Sequence, residues 1–252
     1  MKQQGLNKCW IEGKGAINGW CSIPSTITAE IMSLNKFDSI TIDLQHGLID
    51  YQTALNMLQT LSKIEITPMV RVPWNEPGII MKLLDAGSLG VICPMINNKE
   101  DALKFVGSTK YVPDGFRSSG PTRALMIHGG DYHDEANDKI ISLAMVETEE
   151  ALENVDEIAS TNGLTGIYIG PSDLSISLGL KPGLDRTEEK IVQAIDKIKL
   201  ACKKHNIKVG IHCLSPEFLK NKIKEGFDLT TLASDVRFFT EMVSKKIEEA
   251  RG

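Results

Sequence analysis

The chain has 252 residues, 42% hydrophobic and 24% charged, with a formal net charge of −5; this is ordinary globular composition with ample core material, and it carries no basic footprint for nucleic acid or an anionic membrane surface. No apolar run approaches the length needed to span a bilayer, and the polar start Met1-Lys2-Gln3-Gln4-Gly5-Leu6-Asn7-Lys8 has no signal-peptide stretch. Five scattered cysteines (Cys9, Cys21, Cys93, Cys202, Cys213) without a Cys-x-x-Cys pair argue against a disulfide framework or zinc ribbon, so a reducing cytoplasm is expected.

Along the chain, short β-branched or apolar runs alternate with longer stretches of helical period. In order, the spacing predicts strand Ala16–Ser22 and helix Thr26–Asn35, strand Ser39–Asp43 and helix Tyr51–Lys63, then strand Thr67–Val72 and helix Pro77–Asp85. Strand Gly90–Pro94 and helix Lys99–Ser108 follow, then an irregular segment, Lys110–Asp138, of the kind that forms a binding loop or lid. Strand Ile140–Val146 leads to helix Thr148–Ser160, strand Gly166–Ile169 to helix Thr187–His205, strand Lys208–His212 to helix Pro216–Glu225, and strand Asp228–Leu232 to helix Ser234–Arg251. Asn75-Glu76-Pro77 and Ser215-Pro216-Glu217 carry helix-start chemistry, and Gly87 and Gly226 fall where a left-handed C-cap belongs. About eight strand–helix units joined by crossovers imply a parallel sheet closed as a (β/α)8 TIM barrel. The open doubly wound alternative would carry a glycine fingerprint after its first strand, and Ser22-Ile23-Pro24-Ser25 is not one.

Barrels of this type build their sites at the C-terminal strand ends. Those ends carry Asp43-Leu44-Gln45-His46-Gly47, Arg71, Glu147, Gly170-Pro171-Ser172-Asp173 and His212. Glu147 and Asp173, on neighbouring strands, offer hard oxygen donors suited to Mg²⁺ or Mn²⁺, with Co²⁺ as an alternative; each also fits an ordinary helix-start acid. Gly170, Pro171 and Ser172 open a helical turn whose N–H groups suit a carboxylate. Arg71 would stabilise charge developing on a carbonyl oxygen, or pair with Asp43 or Glu147, or both. His46 is the candidate acid/base, with Asp43 either orienting its ring or bonding the backbone beside it. His128 and His133 read as solvated loop residues, His205 as a helix-end residue, and His212 as either lining the mouth or, the preferred reading, packed behind it. No lysine stands at a strand end, which disfavours Schiff-base chemistry.

These motifs resemble the HpcH/HpaI aldolases, metal-dependent pyruvate aldolases of the phosphoenolpyruvate/pyruvate barrel type. The resemblance runs from Trp20 to the last helix. It is carried by Asp43-Leu44-Gln45-His46-Gly47, Val70-Arg71-Val72-Pro73-Trp74-Asn75, Asp85-Ala86-Gly87 through Cys93-Pro94-Met95, Val146-Glu147-Thr148 and Ile169-Gly170-Pro171-Ser172-Asp173-Leu174. It implies that Glu147 and Asp173 bind a divalent ion chelated by pyruvate, with Arg71 on the keto oxygen. His46 would be the acid/base, helped by Asp85 as an oriented or neighbouring-subunit partner, and Asp43, Gln45 and Gly170–Ser172 would lie against the substrate. A homo-oligomer, a hexamer or trimer of dimers exchanging helix 234–251, is implied as well. The chain departs from the family at Gln45, where glutamate is common, in the loop Arg117–Ala124, and at Leu232-Ala233-Ser234-Asp235, which replaces a more usual Gly-Ser-Asp. The alternatives are a CoA-ester lyase on the same barrel and a non-catalytic binding barrel.

Overall fold

Each strand is followed by one or more helices, and the strands close on themselves in sequence order, β1 pairing with β8. The computed structural model describes residues 5–62 and 64–252, so Met1–Gln4 and Lys63, the expected end of the second helix, lie outside the described residues. The strands are β1 (Ala16–Cys21), β2 (Ser39–Asp43), β3 (Thr67–Arg71), β4 (Gly90–Cys93), β5 (Ile141–Val146), β6 (Gly166–Ile169), β7 (Lys208–Cys213) and β8 (Leu229–Leu232), all paired in parallel. The helices are α1 (Gly5–Ile11), α2 (Thr26–Ser33), α3 (Tyr51–Leu61), α4 (Pro77–Asp85), α5 (Lys99–Thr109), α6 (Thr122–His128) and α7 (Tyr132–Lys139). They continue with α8 (Glu149–Glu153), α9 (Val155–Ala159), α10 (Pro171–Ser177), α11 (Glu189–Lys204), α12 (Pro216–Lys224) and α13 (Asp235–Arg251).

The period-two alternation of the strands divides the core in two. Trp20, Met69, Ile92, Leu143, Met145 and Tyr168 form one buried cluster that fills the barrel. Ile40, Ile42, Val70, Val91, Val146, Ile169 and Ile211 point the other way, into the larger layer beneath the helices. Polar residues at the inward positions therefore collect at the barrel's ends or pair within it.

Strand limits agree with the sequence reading to within a residue at either end. Several other expectations are corrected. Helix α1, which the sequence reading did not foresee, stoppers the barrel's N-terminal end: Leu6 joins the interior cluster and its N–H donates to Thr67 Oγ1 at 3.1 Å. Gly5 permits this contact, since its φ is +46° and a Cβ there would lie 2.0 Å from the Asp38 carbonyl oxygen. The segment expected to be irregular contains α6 and α7, parted by Gly129-Gly130, and the expected helix Thr148–Ser160 divides at Asn154 into α8 and α9. Asn75 does not cap α4; its amide donates to the Asp101 carbonyl, whereas Ser215 does accept from Phe218 N–H. His128 is half-buried and stacked on Tyr132 rather than solvated, and its neighbour His133 meets Ser119 Oγ at 2.7 Å. Gly87 and Gly226 are left-handed, as expected, at φ +102° and +91°. The cysteines are free, with Cys93 and Cys213 fully buried. Among the described residues no helix is long and apolar enough to cross a membrane.

Candidate active site

The C-terminal strand ends surround a cavity of about 180 Å³. Arg71 and His46 form one side of it, Glu147 and Gly170–Asp173 another, and Met145, Tyr168 and His212 its base.

Arg71 is held from three directions. Its Nε donates to Asp43 Oδ1 at 2.8 Å and its Nη2 to Asp43 Oδ2 at 2.6 Å, while the guanidinium lies 4.7 Å above the Trp20 ring. Asp43 is 1% exposed and its remaining capacity is filled by Trp20 Nε1 and the N–H groups of Gln45 and His46. Burial alone would raise its carboxyl, but the Arg71 guanidinium and these donors hold it below the usual carboxylate range. Of the two roles open to Asp43, the structure shows the backbone one: it shapes the turn carrying His46 and serves as the counter-ion of Arg71. It does not touch the imidazole. Of the two carboxylates considered as partners for Arg71, it is Asp43 that pairs. Neither Asp43 nor Gln45 lines the cavity, and Gln45 Oε1 is buried without a partner. His46 is exposed at the mouth.

Glu147 follows β5 and is 2% exposed. It is no helix cap, because Thr148 caps α8. Its Oε1 accepts from Met95 N–H at 2.9 Å, and Met95 reaches that position in a left-handed conformation, φ +56°. Burial, together with the nearby charge of Asp173, pushes Glu147 up to about 7. Asp173, in the first turn of α10, is exposed. Gly170 caps α10, and because Pro171 has no N–H, Ser172 and Asp173 present the first free donors of the turn. A dehydrated carboxylate, Glu147, that also faces the charge of a second, Asp173, suits a hard divalent cation. Among the described residues no set of three or more His, Cys, Asp or Glu converges as a ready-made cage, so the protein would contribute two ligands and leave other positions open. No lysine is found in the cavity lining.

Asp85 is not brought to this cavity by its own chain. It ends α4 and pairs with Arg117 Nη2 at 2.6 Å, beside a separate surface hollow next to Arg123. Arg117 is buried between Tyr111 and Tyr132, and its pairing with Asp85, across 32 residues, is one that sequence reasoning missed. Of the two positions open to His212, it takes the one on the cavity wall.

Comparisons with known proteins identify the family. The family model for HpcH/HpaI aldolase/citrate lyase covers residues 19–241. The chain belongs to that family. Such aldolases are carbon–carbon lyases, and so is this protein. A hydroxypyruvate/pyruvate aldolase from Rhizorhabdus wittichii is 39% identical over 98% of both chains. A 4-hydroxy-2-oxo-heptane-1,7-dioate aldolase from Shigella flexneri is 34% identical, over 88% of this chain and 86% of that one. The crystal structure of an HpcH/HpaI aldolase/citrate lyase family protein from Burkholderia cenocepacia J2315 superposes with a TM-score of 0.89 at 27% identity, covering 95% and 96% of the two chains.

Proposed function

We propose that the protein is a divalent-metal-dependent aldolase that reversibly cleaves a 4-hydroxy-2-oxo acid to pyruvate and an aldehyde. The observation that carries this reading is the single cavity on which Arg71, His46, Glu147 and Asp173 meet from four strand ends. Glu147 and Asp173 hold the ion, Mg²⁺ or Mn²⁺, which when bound supplies Lewis acidity toward the 2-oxo acid. The N–H donors of Ser172 and Asp173 take the substrate carboxylate. Arg71, fixed by Asp43 and Trp20, has N–H donors left over for the keto oxygen and stabilises negative charge as the enolate forms. His46 moves the proton at the mouth of the cavity. Asp85 joins His46 only from a neighbouring subunit, because in its own chain it faces elsewhere.

A homo-oligomer supports that last role. Helix α13 buries only Asp235 and leaves Val236, Phe239, Met242, Val243 and Ile247 exposed as one apolar stripe. Helix α2, which also packs on β1, exposes Ile27 and Ile31. Exchange of residues 234–251 between copies would cover both surfaces. The reaction is tested by following pyruvate release from a panel of 4-hydroxy-2-oxo acids. Turnover that a chelator abolishes and Mg²⁺ or Mn²⁺ restores is expected; chelator-resistant turnover would overturn the metal assignment.

A further inference from the structure

One side chain reaches the cavity from outside the strand ends and the helix that follows β6. Leu184 lies in the loop 178–188 between α10 and α11, yet it lines the cavity together with Arg71, Glu147 and Asp173. Of the apolar residues in that lining, Met145, Tyr168 and Pro171 are buried, and Leu184 keeps exposed surface. Among the described residues, Leu180 of the same loop packs against the layer beneath the helices, whereas Leu184 joins neither core cluster. An exposed leucine is ordinary by itself; what sets this one apart is the clamp that holds it over the site.

The clamp is Asp185. Its Oδ1 accepts from Leu214 N–H and its Oδ2 from Ser215 N–H, both at 2.7 Å. Those two donors directly follow β7 and open α12, where a carboxylate is favoured by the unpaired N–H groups of the first turn. Asp185 stands in the left-handed region, φ +43°, a conformation aspartate tolerates better than most residues. Further back, Leu180 N–H donates to the Ser175 carbonyl at 2.8 Å. The loop is thus fastened on both sides of Leu184, to α10 before it and to the end of β7 after it.

The cavity Leu184 borders measures about 180 Å³, below the roughly 300–1,000 Å³ of ordinary small-molecule sites. Its floor cannot yield, because Met145 and Tyr168 belong to the close-packed barrel cluster. A 2-oxo acid held by its carboxylate and keto oxygen has only its carbon chain left to place, and Leu184 is the apolar surface available to meet that chain. We propose that Leu184 sets the bulk of the hydrocarbon chain this site admits, and that Asp185 is the positioning residue that holds Leu184 there. The ligand class is a 2-oxo acid with a compact, unbranched chain. A branch can enter at C3, from the enolising partner, or at C4, from the aldehyde. The pose of the 2-oxo acid rests on the aldolase reading.

The test is a binding measurement that needs no turnover. Calorimetry in the presence of Mg²⁺ compares pyruvate with 3-methyl-2-oxobutanoate, branched at C3, and 4-methyl-2-oxopentanoate, branched at C4; none carries the 4-hydroxyl that cleavage requires. Wild type should bind at least one branched acid about tenfold more weakly than pyruvate. Leu184→Ala should close that gap and Leu184→Phe should widen it, and the acid that responds identifies the carbon Leu184 faces. Asp185→Asn, which retains a residue suited to the left-handed backbone but loses one of the two acceptors, should shift the ratio in the same direction as Leu184→Ala. Combined with Leu184→Ala it should shift the ratio no further, whereas a carboxylate that merely stabilised the fold would weaken all three acids alike. Equal affinities for all three acids in wild type, or ratios that do not change in folded Leu184→Ala and Leu184→Phe, overturn the proposal. Should Leu184→Ala fail to fold, Leu184→Phe and Asp185→Asn decide by the same ratios. A wild type that binds none of the acids with Mg²⁺ present would refute the aldolase reading itself, and the assignment of Leu184 with it.

Discussion

A methyl group at position 170 would lie 2.5 Å from Glu147 Oε2 and 3.0 Å from the Met145 Cε. The backbone there, φ −97° and ψ 89°, accepts any residue, so Gly170→Ala probes close approach and not conformational freedom. Because Oε1 is tethered to Met95 N–H, the carboxylate cannot simply swing aside. Its Oε2 must recede by about 0.9 Å to regain ordinary van der Waals separation. Overpacking of this kind costs about 1–3 kcal/mol, and a misplacement near 1 Å at a reacting centre costs about 10²-fold in rate. The expected result is therefore a folded protein, weaker in Mn²⁺ affinity by calorimetry and about 10²-fold slower in pyruvate release. Gly78→Ala, where an added Cβ meets nothing within 4 Å, is the control and should keep full activity. Wild-type metal affinity and rate in Gly170→Ala would refute the argument that Gly170 exists to admit Glu147.

Three further outcomes follow from the same geometry. Glu147 is raised from 4.5 to about 7 by burial and Asp173, so the metal-free fold favours its protonated form. The resulting stability is complete below the unfolded value and disappears as pH rises through 7, a loss of about 3 kcal/mol in urea melts; Mn²⁺ should restore stability above pH 7, and Glu147→Gln should flatten both effects. Arg71→Met should destabilise the fold by about 3–5 kcal/mol, since it strands the buried Asp43 carboxylate, whereas Arg71→Lys should keep more stability yet lose the paired hydrogen bonds and most activity. Phe239→Glu, on the exposed stripe of α13, should leave the barrel's circular dichroism intact and reduce its oligomeric state in light scattering.

The barrel was legible because each strand is a short β-branched run with a turn signal at its C-terminal end, so the candidate residues at those ends could be read off before the cavity they line was seen. Where the pattern was silent, local sequence did not contain the answer. Tyr132–Lys139 is almost wholly polar, and it is helical because Tyr132 and Ala136 are buried. Leu6 gives no sign that it plugs the barrel, since that depends on closure. The buried hydrogen bond from Asn18 Nδ2 to Thr231 Oγ1 depends on it too, joining β1 to β8 across 213 residues. Likewise the unusual Leu232-Ala233-Ser234-Asp235 conceals a left-handed Ala233, φ +45°, followed by Asp235, whose carboxylate accepts from the N–H groups of Ser22 and Ile23. Asp85, placed near the site only by the resemblance, pairs in its own chain with Arg117, a partner 32 residues away that local sequence does not announce.

Exchange of the pyruvate methyl protons in D₂O, followed by NMR with and without Mg²⁺ or Mn²⁺, examines enolate formation without any aldehyde. Exchange that requires the metal and collapses in Glu147→Gln and His46→Ala is the result the site geometry predicts. A folded, metal-supplied protein that exchanges no methyl protons would contradict a pyruvate aldolase and favour a CoA-ester lyase or a non-catalytic barrel.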